Sequence, residues 1–357
     1  MDNAATPSAI PAAPARLARL DGMRGIAACS VAFLYHARGL FPEGTLDSGN
    51  RLLDWPHVYG WLFVDLFFVL SGYVFAHVYL GRGTLRTPAD LREFALARFA
   101  RLYPLHLVML LVSAVAFWGV KPENTPLAFA AHLVMLQATV VPVANTFIGP
   151  SWSLTVEVVC YILFALAAVS GERTWKLVCG GAIAAGVAML LHNASPIGPW
   201  SADCFPRGFV GFFMGQLVWR WRGPLARVPG WALAAVIVAG AALPPEGPWG
   251  AILPFALLVF PAATVLGLRL PVLGSRPLVW LGDRSYAIYL IHIVPLGLFL
   301  NSHGQLGSGT LVVVAGSLAF GAINLFLADL AFRHVEMPAR RFLRGLFQTS
   351  ARAPALA

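Results

Sequence analysis

The sequence predicts an all-α fold: a polytopic membrane helical bundle of about ten transmembrane helices, plus one segment that re-enters or only partly crosses. Three observations predict it. Hydrophobic residues make up 58% of the 357 and charged residues only 11%, with a mean hydropathy of +0.72, which leaves a water-soluble globule too little polar surface to cover itself. Apolar stretches long enough for about 30 Å of hydrocarbon recur along the whole chain. The basic residues fall in short loops between those stretches.

Taken in order, the apolar spans run over 25–41, 58–80, 103–120, 127–143, 152–170, 175–191, 206–221, 230–243, 249–267, 284–300 and 310–332. Bilayer-spanning backbone must satisfy its own hydrogen bonds, so all read as helices. Arg16 and Arg19 precede the first span, and Arg82, Arg86, Arg92, Arg98 and Arg101 crowd the loop after the second. Positive charge marks the cytoplasmic face, so the N-terminus is expected inside. Arg333, Arg340, Arg341 and Arg344 place the C-terminus inside as well, as the loops carrying Arg220, Arg222, Arg227, Arg269 and Arg276 also face in. Two inside ends require an even number of crossings. The 127–143 segment, weakened by His132, Gln137 and Pro142, is the one expected to re-enter or stop partway.

Thr87-Pro88-Ala89-Asp90 combines an N-cap, a first-turn proline and a first-turn acid, and so predicts a helix start. Leu91, Phe94, Ala95 and Leu102 follow at helical spacing, predicting an amphipathic segment on the cytoplasmic membrane surface ahead of the third span. Residues 1–19, rich in Ala and Pro and lacking a basic n-region, read as a disordered cytoplasmic tail rather than a signal peptide. Residues 20–345 form the transmembrane domain, and 346–357 a second cytoplasmic tail.

The net charge of +9 belongs to topology, since it is not gathered on one face, so nucleic acid is not expected as a partner. Cys29, Cys160 and Cys179 lie within apolar spans and Cys204 near a loop, which gives neither a disulfide framework nor a metal site. No Walker loop, H-E-x-x-H or dinucleotide fingerprint stands where its chemistry would need it. The informative residues are His36, Asp65, Glu157 and His292. Each is polar inside an apolar span, costly in lipid, and requires a partner or a cavity.

Leu20-Asp21-Gly22-Met23-Arg24-Gly25, ending at Tyr35-His36, resembles the opening of the membrane-bound acyltransferase family 3. Further blocks agree in order: Val64-Asp65-Leu66-Phe67-Phe68-Val69-Leu70-Ser71-Gly72, Arg98-Phe99-Ala100-Arg101, Ser151-Trp152-Ser153-Leu154-Thr155-Val156-Glu157, Ser285-Tyr286-Ala287-Ile288-Tyr289-Leu290-Ile291-His292, and the closing Val335-Glu336-Met337-Pro338. The resemblance implies an enzyme of the bacterial inner membrane, with about ten helices and both ends inside. It would transfer acyl groups from acyl-CoA, with acetyl the habitual group, to hydroxyls of surface polysaccharides, O-antigen, peptidoglycan or macrolides.

Acyl transfer needs a base for the hydroxyl proton, and imidazole suits neutral pH, so His36 is the candidate base. Glu157 is expected to orient that ring if the two spans meet, and Arg24 completes the catalytic set. A covalent acyl-enzyme at His36 or Ser153 stays open. Arg98 and Arg101, at i and i+3, present two guanidinium forks suited to the phosphates of the acyl-CoA donor. Trp152, Ser153, Tyr286 and His292 are candidates for contacting a carbohydrate or glycolipid acceptor, and no permanently bound cofactor is expected. A proton-coupled transporter or flippase is the competing class, because intramembrane acids and histidines serve those proteins too.

The spacing departs from the family in one place. Eleven residues separate Arg24 from His36, where ten are usual. At about 100° per residue the extra one turns the two side chains roughly 120° apart. Either a π-bulge absorbs it, or Arg24 precedes the helix.

Overall fold

The computed structural model describes residues 17–139, 143, 145–193, 203–242 and 252–350, and among them every regular element is helical. Five helices are long and apolar enough to cross a bilayer: Arg51–Leu80, Pro88–Phe117, Gly149–Val169, Glu172–His192 and Thr310–Leu343. A sixth crossing is available from the pair Arg276–Ile291 and Ile293–His303, which bends by 40° at His292. Gly230–Ala242 and Ile252–Gly267 are apolar but shorter, and each borders a stretch outside the described residues.

The first span starts earlier than its hydropathy implies. Helix α1, Ala18–Cys29, already contains the Asp21–Gly25 block, continues as a π-helix over Ser30–Tyr35 and tightens to 3-10 at His36–Leu40. Of the two alternatives for the Arg24–His36 spacing, the bulge is the one realised, and Arg24 lies inside the helix. The wider turn takes up one residue. The offset between the two side chains thereby falls from roughly 120° to roughly 20°.

Helix α2, Arg51–Leu80, carries Asp65, and α3, Pro88–Phe117, begins at Thr87 as the sequence predicts. Thr87 Oγ1 accepts from the Asp90 amide at 3.2 Å, and the Asp90 carboxylate accepts from the Thr87 amide at 2.8 Å, closing a capping box. The expected separate amphipathic segment is merged into this helix. Pro104 does not break it, and 30 residues run without interruption.

Helix α4, Pro126–Leu133, holds eight residues, about 12 Å, less than half the hydrocarbon thickness. The chain then turns at Met135, whose φ of 58° is left-handed. Such a backbone is strained for a bulky residue and persists where the surroundings fix it. A buried network does so here. His132 bonds through Nε2 to Thr146 at 3.0 Å and through Nδ1 to Ser151 at 3.3 Å, while Gln137 donates to the Ser151 carbonyl at 2.6 Å. The polar residues that weaken this segment as a span are the ones that hold it as a folded-back element.

Helices α5, Gly149–Val169, α6, Glu172–Asn193, and α7, Cys204–Arg220, form the next layer, followed by α8, Gly230–Ala242, and α9, Ile252–Gly267. The bent pair makes α10, Arg276–Ile291, and α11, Ile293–His303; α12, Thr310–Ala331, continues through a π-turn at Phe332–Glu336 into Met337–Ser350. The predicted tails fall mostly on 1–16 and 351–357, outside the described residues; Ala18, Arg19 and 346–350 belong to helices.

Lipid offers no hydrophobic gain for helix association, so close packing must drive it. Two helix pairs achieve this through glycine. A Cβ on Gly72 of α2 would lie 1.8 Å from the Phe212 carbonyl oxygen of α7, and one on Gly282 of α10 would lie 2.1 Å from the Asp21 carbonyl oxygen of α1. Helices α2 and α7, and helices α1 and α10, therefore meet at backbone distance.

Candidate active site

Two cavities lie between these helices. The larger, about 330 Å³, is lined by His36, Trp61, Trp152, Lys121, Tyr289 and Asn301, among others. The smaller, about 50 Å³, is lined by Arg24, Ser153, Glu157, Ser285, Tyr286 and Tyr289, together with apolar residues of α2 and α5. Val64 and Tyr289 line both. The π-segment explains how one helix serves two cavities: Arg24 and His36, a dozen positions apart, both face Val64 and Tyr289.

At the wall of the larger cavity, His36 Nδ1 lies 2.9 Å from His292 Nε2. His292 is fully buried, and its own Nδ1 lies 3.1 Å from the Ile288 carbonyl oxygen. A carbonyl only accepts, so His292 Nδ1 carries the proton and His292 Nε2 is the acceptor. It follows that His36 Nδ1–H donates to His292. The lone pair of neutral His36 is then on Nε2, away from its partner. A chain of two hydrogen bonds fixes both tautomers, the arrangement a general base needs.

Glu157, expected to orient the His36 ring if the two spans meet, is not its hydrogen-bond partner. Glu157 belongs to the smaller cavity, where its carboxylate accepts from the Tyr161 hydroxyl and from Ser71 Oγ at 3.2 Å. The partner of His36 is His292, from the far end of the chain. Arg24 and Glu157 are electrostatic neighbours, and Arg101 also acts on Arg24. The Nε atoms of Arg24 and Arg98 are buried with no hydrogen-bond partner, an unusual cost for a guanidinium unless something else occupies the donors.

Arg98 lies over the Phe75 ring at 5.1 Å and reaches the Tyr79 hydroxyl at 3.5 Å. Both Arg98 and Arg101 act electrostatically on Tyr161, beside Glu157. Tyr286 donates to the Leu102 carbonyl at 2.6 Å, tying α10 to α3 next to Arg101. Trp152 lines the larger cavity and Ser153 the smaller, so adjacent residues of the helical block face different chambers.

Asp65 finds a partner that the sequence reading missed. Arg207 of α7, also fully buried, meets it with two bonds of 3.0 and 2.6 Å, and its guanidinium lies 4.9 Å from the Trp61 ring and 5.0 Å from the Trp152 ring. One ion pair therefore braces both tryptophans of the larger cavity. Nothing in periodicity marks Arg207, a single cation at the head of an apolar run. Tyr289 was also missed as a site residue, though Tyr286, Tyr289 and His292 at i, i+3 and i+6 share one helix face.

The fold and these chambers define a helical membrane protein that keeps a histidine pair and an arginine–glutamate cluster inside its bundle. The acyltransferase domain model of family 3 matches residues 17–328, and the chain belongs to that membrane acyltransferase family. It is 30% identical to Acyltransferase MdmB of Streptomyces mycarofaciens, over 92% of each chain. It is 25% identical to Peptidoglycan O-acetyltransferase OatA of Listeria monocytogenes serovar 1/2a, over 90% of this chain and 55% of that one. Protein 2 in picA locus of Rhizobium radiobacter matches at 33% over 43% of this chain and 82% of its own. No solved structure matches.

Proposed function

We propose that the protein is an acyl-CoA-dependent O-acyltransferase of the bacterial inner membrane that esterifies a hydroxyl of a carbohydrate or related acceptor, with acetyl as the group transferred. The observation that carries this reading is the His36–His292 pair, whose hydrogen bonds leave a basic nitrogen at the wall of a cavity that also holds two tryptophans. The names of the relatives, a peptidoglycan O-acetyltransferase among them, support the reaction class.

The acceptor occupies the larger cavity, its sugar face on Trp61 or Trp152 and its hydroxyls toward Lys121 and Asn301. His36 Nε2 takes the hydroxyl proton as the oxygen attacks the thioester carbonyl. The carbon–sulfur bond then breaks, the ester is released, and the proton passes to the departing CoA thiolate. Arg98 and Arg101 hold the phosphates of the donor on the cytoplasmic face, and Arg24 with Glu157 lines the route of its pantetheine arm.

Transfer of label from radiolabelled acetyl-CoA is the test, in membranes carrying wild type, His36→Ala or Arg98→Ala at matched expression, with a crude surface-glycan extract as acceptor. Incorporation by wild type and loss in both variants is the expected result. Full incorporation by His36→Ala would remove the base.

A further inference from the structure

The two cavities share two lining residues, Val64 and Tyr289. Val64 is a short side chain of α2, whereas Tyr289 of α10 is a long aromatic one held at both its hydroxyl and its ring. Its hydroxyl donates to the Pro150 carbonyl at 2.7 Å, and Ser153 Oγ lies 3.0 Å from the same hydroxyl. Its ring rests against Phe67 at a centroid distance of 5.8 Å. Pro150 and Ser153 flank Trp152, so the latch sits where the helical block of α5 passes from one chamber to the other. Rotation of one tyrosine about its two side-chain torsions would release Pro150 and open the smaller chamber into the larger.

The chemistry on either side is complementary. Arg24, Ser153, Glu157 and Ser285 line the smaller chamber, and the His36–His292 pair borders the larger one. The smaller chamber encloses about 50 Å³ beside Tyr289, so it is narrow where a group carried through it would meet that side chain. We propose that Tyr289 is the movable partition of one continuous passage joining the Arg24 and His36 chambers, and that it limits the size of the acyl group that reaches His36. Its second half rests on the acyl-CoA reading above. No bond is made or broken at Tyr289. The acyl group passes as the thioester on its carrier arm, and transfer occurs beyond the partition.

The test begins without acyl chemistry. In a variant with Cys29, Cys160, Cys179 and Cys204 replaced by Ala, Ser285→Cys places one thiol in the smaller chamber. A membrane-impermeant methanethiosulfonate is added to sealed vesicles of each orientation in turn, and the rate is read from the face onto which the His36 chamber opens. With Tyr289 present the thiol is shielded from that face. Tyr289→Ala is expected to raise its rate at least roughly tenfold, equivalent to removing about 1.4 kcal/mol of barrier. Tyr289→Phe keeps the ring but loses the latch, and is expected to accelerate labelling by a smaller factor. Unchanged rates in both variants, with elution on size exclusion as for wild type, would overturn the partition.

A second arm compares acetyl-CoA with butyryl-CoA. Tyr289→Ala is expected to raise the butyryl-to-acetyl transfer ratio, and an unaltered ratio removes the size limit. Opened labelling in Tyr289→Ala together with no transfer from either donor by wild type keeps the passage and rejects the acyl-CoA reading, so the two ideas fail separately.

Discussion

Replacing His292 with Leu removes the acceptor for His36 Nδ1–H while leaving an apolar side chain of similar reach in a fully buried position. The cost can be worked from the geometry. The 2.9 Å bond joins two neutral rings, and breaking it strands a part-buried donor at roughly 1–3 kcal/mol. At about 1.4 kcal/mol per decade this is a loss of roughly 5- to 150-fold in kcat/KM. Removing the base itself is larger, about 10²- to 10⁴-fold. His36→Ala is therefore expected to fall below His292→Leu, and the double variant no further than His36→Ala, because an orienting group has nothing left to orient. His292→Gln, whose amide oxygen still accepts, should recover part of the loss. The assay is initial-rate label transfer from acetyl-CoA in membranes at matched expression, with acceptor concentration varied to separate kcat from KM. Full activity in His292→Leu, or additive losses in the double variant, would refute the relay.

Truncating either half of the buried pair, Asp65→Ala or Arg207→Ala, leaves an uncompensated charge among apolar helices and is expected to cost roughly 3–5 kcal/mol, read as a lowered thermal transition in detergent. The exchange Asp65→Arg with Arg207→Asp should recover part of it, and stable single variants would show that the pair is not needed for the fold. Gly72→Ala drives a methyl to 1.8 Å from a carbonyl oxygen and should abolish recovery of folded protein, whereas Gly180→Ala, which meets nothing within 4 Å, should leave it unchanged. Equal yields from the two would argue against glycine-mediated contact between α2 and α7.

Composition and loop charge were enough to establish a helical membrane protein, because the bilayer restricts lipid-facing backbone so strongly that hydropathy is nearly a structural rule. The Thr87 cap was legible for a similar reason: capping chemistry is local and leaves its residues adjacent in sequence. The extra residue between Arg24 and His36 left two readings, a π-bulge or an Arg24 ahead of the helix, and the choice between them was made by the fold. Partnership across the bundle was not legible. Glu157 and His292 are both polar residues in apolar spans, and nothing along the chain says which of them meets His36. Arg207 gave no signal because its partner lies 142 positions away. Tyr289 reads as one more aromatic until packing places it between two chambers. The sequence by itself determined which groups must be hidden from lipid, since that cost is set residue by residue. Only the tertiary structure decided which group each of them is hidden against, since that choice depends on how helices distant in the chain come to pack.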